Sequence, residues 1–369
     1  MQERLPISDA ESLALRAEPP RDDADELTPW QLGHRVLADQ RFNHAVEHRG
    51  LTVHDSELHG FTWSGGVVLR GCVFRDVVLD RVAFTAVRFE DVVFERCRLD
   101  TVQLVDCDLV RCRFVDCDMA LITASRVRFT DAQFSAVRGD SWTLRECALL
   151  GCRIDECTLL ALRAAKSTID ALDVRGGALR SAEFTLDTIG ALRVADAVVQ
   201  RLRVVGGELG AVTLTAVEAD DLSLSTAQID ALTLERCPTV VNLRVLDARL
   251  RALTITACPQ VLGLIVHACT LAQMSFSGST LLHSTFEAVH VDGPLHAADA
   301  VFAGLVLRDG VWSTGLLERV RFDDYVAADH MRFTSLQKRD VVEGVGLRYQ
   351  LDGGPAASGS MFWGALHGA

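Results

Sequence analysis

Residues 44–48 read His44-Ala-Val-Glu47-His48, the spacing of a zinc-binding helix. On a helix the two histidines would share a face, with the glutamate placed to act as a base. His54 and His59 follow close behind. The pattern is only five residues long and has no catalytic domain around it. His44 and His48 are therefore metal candidates by spacing alone, and solvated end residues are the stronger reading. Farther along, His267, His283, His290, His296 and His330 recur at no fixed offset, and no serine elbow or phosphate loop is present. No catalytic residue, cofactor or enzymatic activity is expected.

The eleven cysteines point away from chemistry as well. Cys107, Cys112 and Cys117 are five apart, as are Cys147, Cys152 and Cys157. Zinc knuckles need gaps of two to four. Cysteine here reads as a small apolar filler. So many unpaired thiols favour a reducing compartment, and a cytoplasmic location is expected.

The spacing of five belongs to the whole chain. From Leu69 to Leu234, stepping by five gives 34 positions, of which 30 are Leu, Phe, Ile, Val or Met. Phe74, Phe94, Phe114 and Phe134 fall in this column, with Leu99 and Leu144; Ala124, Gly139, Ala164 and Ala219 are the exceptions. A second, smaller column lies two residues earlier: Val67, Cys72, Val77, Val82, Cys97 and Cys117 among others. Residues at i and i−2 share one face of an extended segment. Each unit is thus a very short strand closed by a polar turn. A period of five fits neither a helix nor a continuous strand.

This pattern resembles the pentapeptide-repeat family, whose members place a large apolar residue at the centre of each repeat and a small one two before it. Asp or Asn often precedes the central residue in that family, whereas here the position varies (Val73, Arg88, Gln103, Thr143). The resemblance implies an all-β fold, a right-handed quadrilateral β-helix with four pentapeptides per coil, so that residues twenty apart stack. About 14 coils would then span roughly 65–70 Å at the rung spacing of a sheet. The register slips at Pro238, Pro259 and near Pro294. Cys237-Pro238 and Cys258-Pro259 are one coil plus one residue apart, which predicts stacked bulges with proline where no ladder donor is needed. Gly139 and Ala124 leave the core under-filled, and Trp142 is the residue to fill it.

Three segments follow: an N-terminal segment over 1–50, the solenoid over 51–336, and an extension with a flexible apolar tail over 337–369. Trp30, Leu37, Phe42 and Val46 can share an apolar face, which predicts a helical cap over 26–48, since a solenoid needs covered ends. Gly353-Gly354-Pro355 opens a linker that leads to Met361, Phe362, Trp363 and Leu366, a docking peptide or dimer contact by composition, or a frayed end.

Net charge is −13. No segment is strongly basic, so direct nucleic-acid binding is not expected, and no apolar run is long enough to span a bilayer. The N-terminus has no basic start followed by an apolar stretch, so no Sec-type signal is expected; a specialised export route stays open. The functional expectation is a non-enzymatic protein-binding or scaffold solenoid with protein partners, self-associating as a homodimer through one end of the rod. The resemblance adds two associations: accessory or effector-linked parts of bacterial secretion systems, and DNA-mimicking inhibitors of gyrase or topoisomerase that confer quinolone resistance or toxin immunity. Interleaved Arg, Asp and Glu fit the second less well than a sustained negative stripe would.

Overall fold

A residue with its side chain turned inward, flanked by two turned outward, is the shortest strand that can bury anything. The chain repeats that unit. The computed structural model describes residues 31–34, 36–39, 41–42, 45, 47–343, 348–351 and 357–358, and every regular element among them is a strand. Most strands are three or eight residues long, and they stack in parallel as a β-solenoid. The chain divides between Arg180 and Ser181 into two compact units.

In the first unit, Arg88–Glu90, Val93–Glu95 and Arg98–Val105 trace one coil; the last carries two inward residues of the column, Leu99 and Leu104. Twenty residues separate stacked partners: Phe74 pairs with Phe94, Phe94 with Phe114, and Phe114 with Phe134. The four rings stack at centroid distances of 4.8, 4.8 and 4.9 Å, the rung spacing of a sheet. Leu99, Leu144, Cys97 and Cys117 are buried with them. Burying each large side chain contributes roughly 1.5–3 kcal/mol before chain entropy. Gly139 sits beneath Trp142: a Cβ there would lie 2.6 Å from the indole Nε1. That nitrogen donates to the Met119 carbonyl at 3.1 Å, so the ring fills the glycine's gap and satisfies its own polar atom. An apolar void of about 50 Å³ remains, lined in part by Phe114, Phe134 and Trp142.

Each strand must turn about two residues past its central side chain. There the backbone enters the left-handed region, as at Asp76 (φ 54°), Asp91 (φ 56°) and Arg111 (φ 52°). Such conformations disfavour most L-residues, Asn and Asp least. The corner amides still bond the neighbouring coil: Asp76 N donates to the Glu95 carbonyl at 3.0 Å and Asp91 N to Val110 at 2.9 Å. The ladder therefore offsets part of the conformational cost.

The expected N-terminal helix is not what forms. Gln31–Gly33, Val36–Ala38, Arg41–Phe42 and Glu47–Arg49 are strands, in register with Thr52–His54, Glu57–His59, Thr62–Trp63 and Val68–Arg70. Leu32, Leu37 and Phe42 are themselves five apart, so the pentad column already runs through the segment read as a cap. It is disguised by a step of six, from Phe42 to His48 and again from Trp63 to Leu69, the second taken up beside Gly65 and Gly66 (φ 81° and 83°). Residues 26–30, including Trp30, lie outside the described residues, as does Val46.

In the second unit, Ile189, Leu209 and Ile229 stack at twenty. Two of the slips are single inserted residues. Val217 and Ala219 are two apart, whereas Cys237 and Val240 are three apart, as are Cys258 and Val261. Val240 pairs with Val261, so Pro238 and Pro259 occupy equivalent exposed positions in adjacent coils. Near Pro294 the pairing steps from Leu271–Val291 to Met274–Leu295, which absorbs one further residue. On the far side of residue 336, Val342–Glu343 and Arg348–Leu351 pair in parallel with Arg321–Asp329.

Candidate interaction surface

With the apolar columns turned inward, every outward position becomes surface, and stacking brings equivalent outward residues one rung apart. In the first unit this converts a sequence rich in Arg, Asp and Glu into ordered ion pairs. Arg96 clamps Asp76 through Nε and Nη2, both at 2.8 Å. Arg111 holds Asp91 at 2.7 and 2.8 Å, and Arg126 holds Asp106 at 2.7 and 2.9 Å. Each pair spans twenty residues and joins two left-handed corners. The fork geometry of guanidinium matches a carboxylate bidentately. These hydrogen bonds hold the carboxyls of Asp76, Asp91 and Asp106 below the usual range and raise their arginines.

Neighbouring charges extend the clamps. Glu90 accepts from Arg111 at 3.1 Å and pairs with Arg70 at 2.9 Å. Arg75 donates to Glu95 at 2.9 Å, and Arg96 also reaches Glu95. The second unit repeats the device: Arg319 donates to Asp299 at 2.6 and 2.8 Å and to Glu318 at 2.6 Å. It also carries an open groove of about 600 Å³ whose lining includes Gly190, Gly210, Asp230, Arg251 and Asp292. A Cβ on Gly210 would lie 2.1 Å from the Gly190 carbonyl oxygen, so the close approach of these two rungs requires glycine.

The residues singled out by spacing fall differently. His48 lies on the strand Glu47–Arg49 opposite Leu69, half-buried, and burial lowers its pKa. Glu47 turns to Arg49 and Arg70 at 2.9 and 3.6 Å. An extended backbone puts successive side chains on opposite faces, so Glu47 and His48 do not converge as they would on a helix. His44 lies outside the described residues, as do Met361, Phe362, Trp363 and Leu366. All eleven cysteines are free and buried, Cys237 included. Several thiols donate inward to carbonyls two or twenty-three residues back, as Cys107 does to Val105 and Phe84, both at 3.3 Å. Sequence reasoning counted the charges as interleaved but missed their pairing; the signal was Asp and Arg recurring at one pentad position twenty residues apart.

No family model matches the chain, and no curated protein matches it. Among solved structures it is similar to the PL6-family alginate lyase AlyGC, at 8% identity and a TM-score of 0.19, over 88% of this chain and 96% of that one. A mutant of the same lyase gives the same identity and TM-score, over 92% and 99%. At that TM-score the likeness carries no argument about fold or activity. Among the described residues no helix is long and apolar enough to cross a membrane.

Proposed function

We propose that this chain is a pentapeptide-repeat solenoid that acts as a non-enzymatic scaffold, binding protein partners on its outer faces. The observation that carries this reading is the set of Asp–Arg clamps at residues 76/96, 91/111 and 106/126, which stand at three successive corners of the coil. Clamped side chains have already lost their rotamer freedom, so a partner docking on them meets a pre-ordered polar surface and less entropy is lost on binding. The flanking Arg70, Arg75 and Arg88 add further charges, paired with Glu90, Glu95 and Glu90. A mixed-sign surface of this kind fits a protein partner of complementary pattern better than a polyanion or polycation. Association with a secretion apparatus in a bacterial cytoplasm is compatible with this role.

The DNA-mimic reading, with gyrase as target, calls for uncompensated carboxylates at phosphate-like spacing. In the first unit Asp76, Asp91, Asp106, Glu90 and Glu95 each face a guanidinium, which weighs against it. Two measurements test the proposal. A partner captured from host lysate by the full chain should be lost by Arg111→Glu/Arg126→Glu with folding unchanged by circular dichroism. The full chain at micromolar concentration should leave gyrase supercoiling unaffected. Capture that is indifferent to the double reversal, or gyrase inhibition, would overturn the reading.

A further inference from the structure

Asp55 stands at a left-handed corner (φ 47°), as do Asp76, Asp91, Asp106 and Asp299 at theirs. Those four each hold an arginine from the coil that follows. Asp55 does not. The residue one coil on is Asp76, already held by Arg96, and nearby Arg75 is committed to Glu95. In place of a guanidinium, Asp55 has imidazoles on two sides. His54 Nδ1 lies 3.0 Å from Asp55 Oδ2, and His34, one coil back, meets the His54 ring edge to face at 5.3 Å. One nitrogen of His34, one of His54 and one carboxylate oxygen of Asp55 all lie within 4.8 Å of one another.

We propose that His34, His54 and Asp55 form a surface site for one divalent ion of the zinc type, with water completing its coordination. Two imidazoles and one carboxylate are a donor set for zinc, cobalt or nickel; calcium and magnesium take oxygen ligands almost exclusively. Zinc bonds of 2.0–2.2 Å in a tetrahedron put neighbouring donors roughly 3.3–3.5 Å apart. The donors farthest apart must therefore close by up to about 1.4 Å, a movement open to exposed His34 and Asp55 by side-chain rotation.

The backbone beneath the site is shaped for it. Gly33 pairs with His54, and a Cβ on Gly33 would fall 2.2 Å from His54 Cε1 and 2.3 Å from Nε2. Gly33 does not adopt a positive φ, so what the absent side chain provides is room for the imidazole. The ring rests on the backbone of the neighbouring coil and is held beside His34 by that contact. An ion bound there would join the coil at 31–38 to the coil at 52–59 and add its binding energy to their docking. This inference does not depend on the scaffold reading.

The test uses the full chain without a histidine tag, stripped of metal and titrated with zinc by calorimetry and with cobalt by visible absorption. One equivalent should bind at micromolar or tighter affinity, and hydrogen exchange at Gln31–Gly33 should slow when it does. His34→Ala and Asp55→Asn should each weaken binding by more than the ~10–100-fold typical of outer-shell changes. Both should fold, since alanine and asparagine already occupy left-handed corners at Ala86 and Asn242. Gly33→Ala should weaken binding without removing a ligand, and His330→Ala should leave it intact. Failure of the wild type to bind zinc or cobalt, or wild-type affinity in both His34→Ala and Asp55→Asn, would overturn the proposal.

Discussion

Replacing Phe114 with leucine should cost more than the same replacement at Phe129, and the difference should measure ring stacking. The two phenylalanines are almost equally buried, at 4% and 5% exposure, and each sits at the inward centre of a three-residue strand. Their neighbours above and below differ. Phe114 lies between Phe94 and Phe134, at 4.8 and 4.9 Å with interplanar angles of 2° and 8°. Phe129 lies between Leu109 and Leu149. A hydrophobic exchange of this kind costs up to about 1.5 kcal/mol at either site. At Phe114 two stacked contacts are lost as well, each contributing ~0.5–1.5 kcal/mol beyond burial. Phe114→Leu should therefore exceed Phe129→Leu by about 1–3 kcal/mol. Solenoids can open coil by coil, so a single global midpoint is not the right readout. Native-state hydrogen exchange at Val93–Glu95, Arg113–Val115 and Gln133–Ser135 measures the local opening energy directly. Equal losses within about 0.5 kcal/mol at the two sites would refute the view that the aromatic column contributes as a stack rather than as buried area.

Gly139→Ala should destabilise the first unit by about 1–3 kcal/mol, because its Cβ would displace Trp142 and strain the indole bond to Met119; tryptophan fluorescence and native-state hydrogen exchange read both effects. Native protein should react negligibly with thiol reagents until it unfolds, since burial pushes Cys72, Cys152 and Cys157 up to about 11 and Cys112 to about 12; rapid labelling of several thiols at neutral pH would contradict the packing. The depressed carboxyls of Asp76, Asp91, Asp106 and Asp299 stabilise the fold above their unfolded value of ~3.9, and that contribution is lost as pH falls through their lower folded values. Local opening energies from native-state hydrogen exchange should drop below about pH 4, less so in Arg111→Gln and in high salt; an identical acid response in that variant would discount the Asp91 clamp.

Much of the fold was legible because inward residues obey a strict count. Phe74, Phe94, Phe114 and Phe134 could be stacked on paper, and the extra residues at Pro238 and Pro259 could be aligned with each other. Legibility failed where the count was interrupted by polar or inserted residues. At 31–49, His48 stands where the column calls for a large apolar side chain, after a step of six. Trp30, Leu37, Phe42 and Val46 then gave an accidental helical spacing. A local apolar pattern of four residues cannot decide between periods of 3.6 and 5, whereas stacking against the next coil can. Leu32 against Val53 and Leu37 against Leu58 decided it.

The surface was less legible for a different reason. Whether an Arg and an Asp pair depends on which corner each occupies and which coil lies above, and composition averages that away. Arg111 and Asp91 are twenty apart in sequence and 2.7 Å apart in space. The same stacking rule that turns such pairs into clamps turns His34, His54 and Asp55 into a cluster, because His34 stands one coil before Asp55 where an arginine one coil after would otherwise hold it. The rule follows from the repeat length, so each substitution on an outer face has its first-order consequence twenty or twenty-one residues away. Arg126→Gln should accordingly raise the pKa of Asp106, its partner one coil back, and leave Asp91, fifteen residues further toward the N-terminus than Asp106 and clamped by Arg111, unchanged. Carboxyl titration by NMR distinguishes the two. A shift at Asp91 comparable to that at Asp106 would mean that the charges act as a diffuse field rather than as discrete clamps.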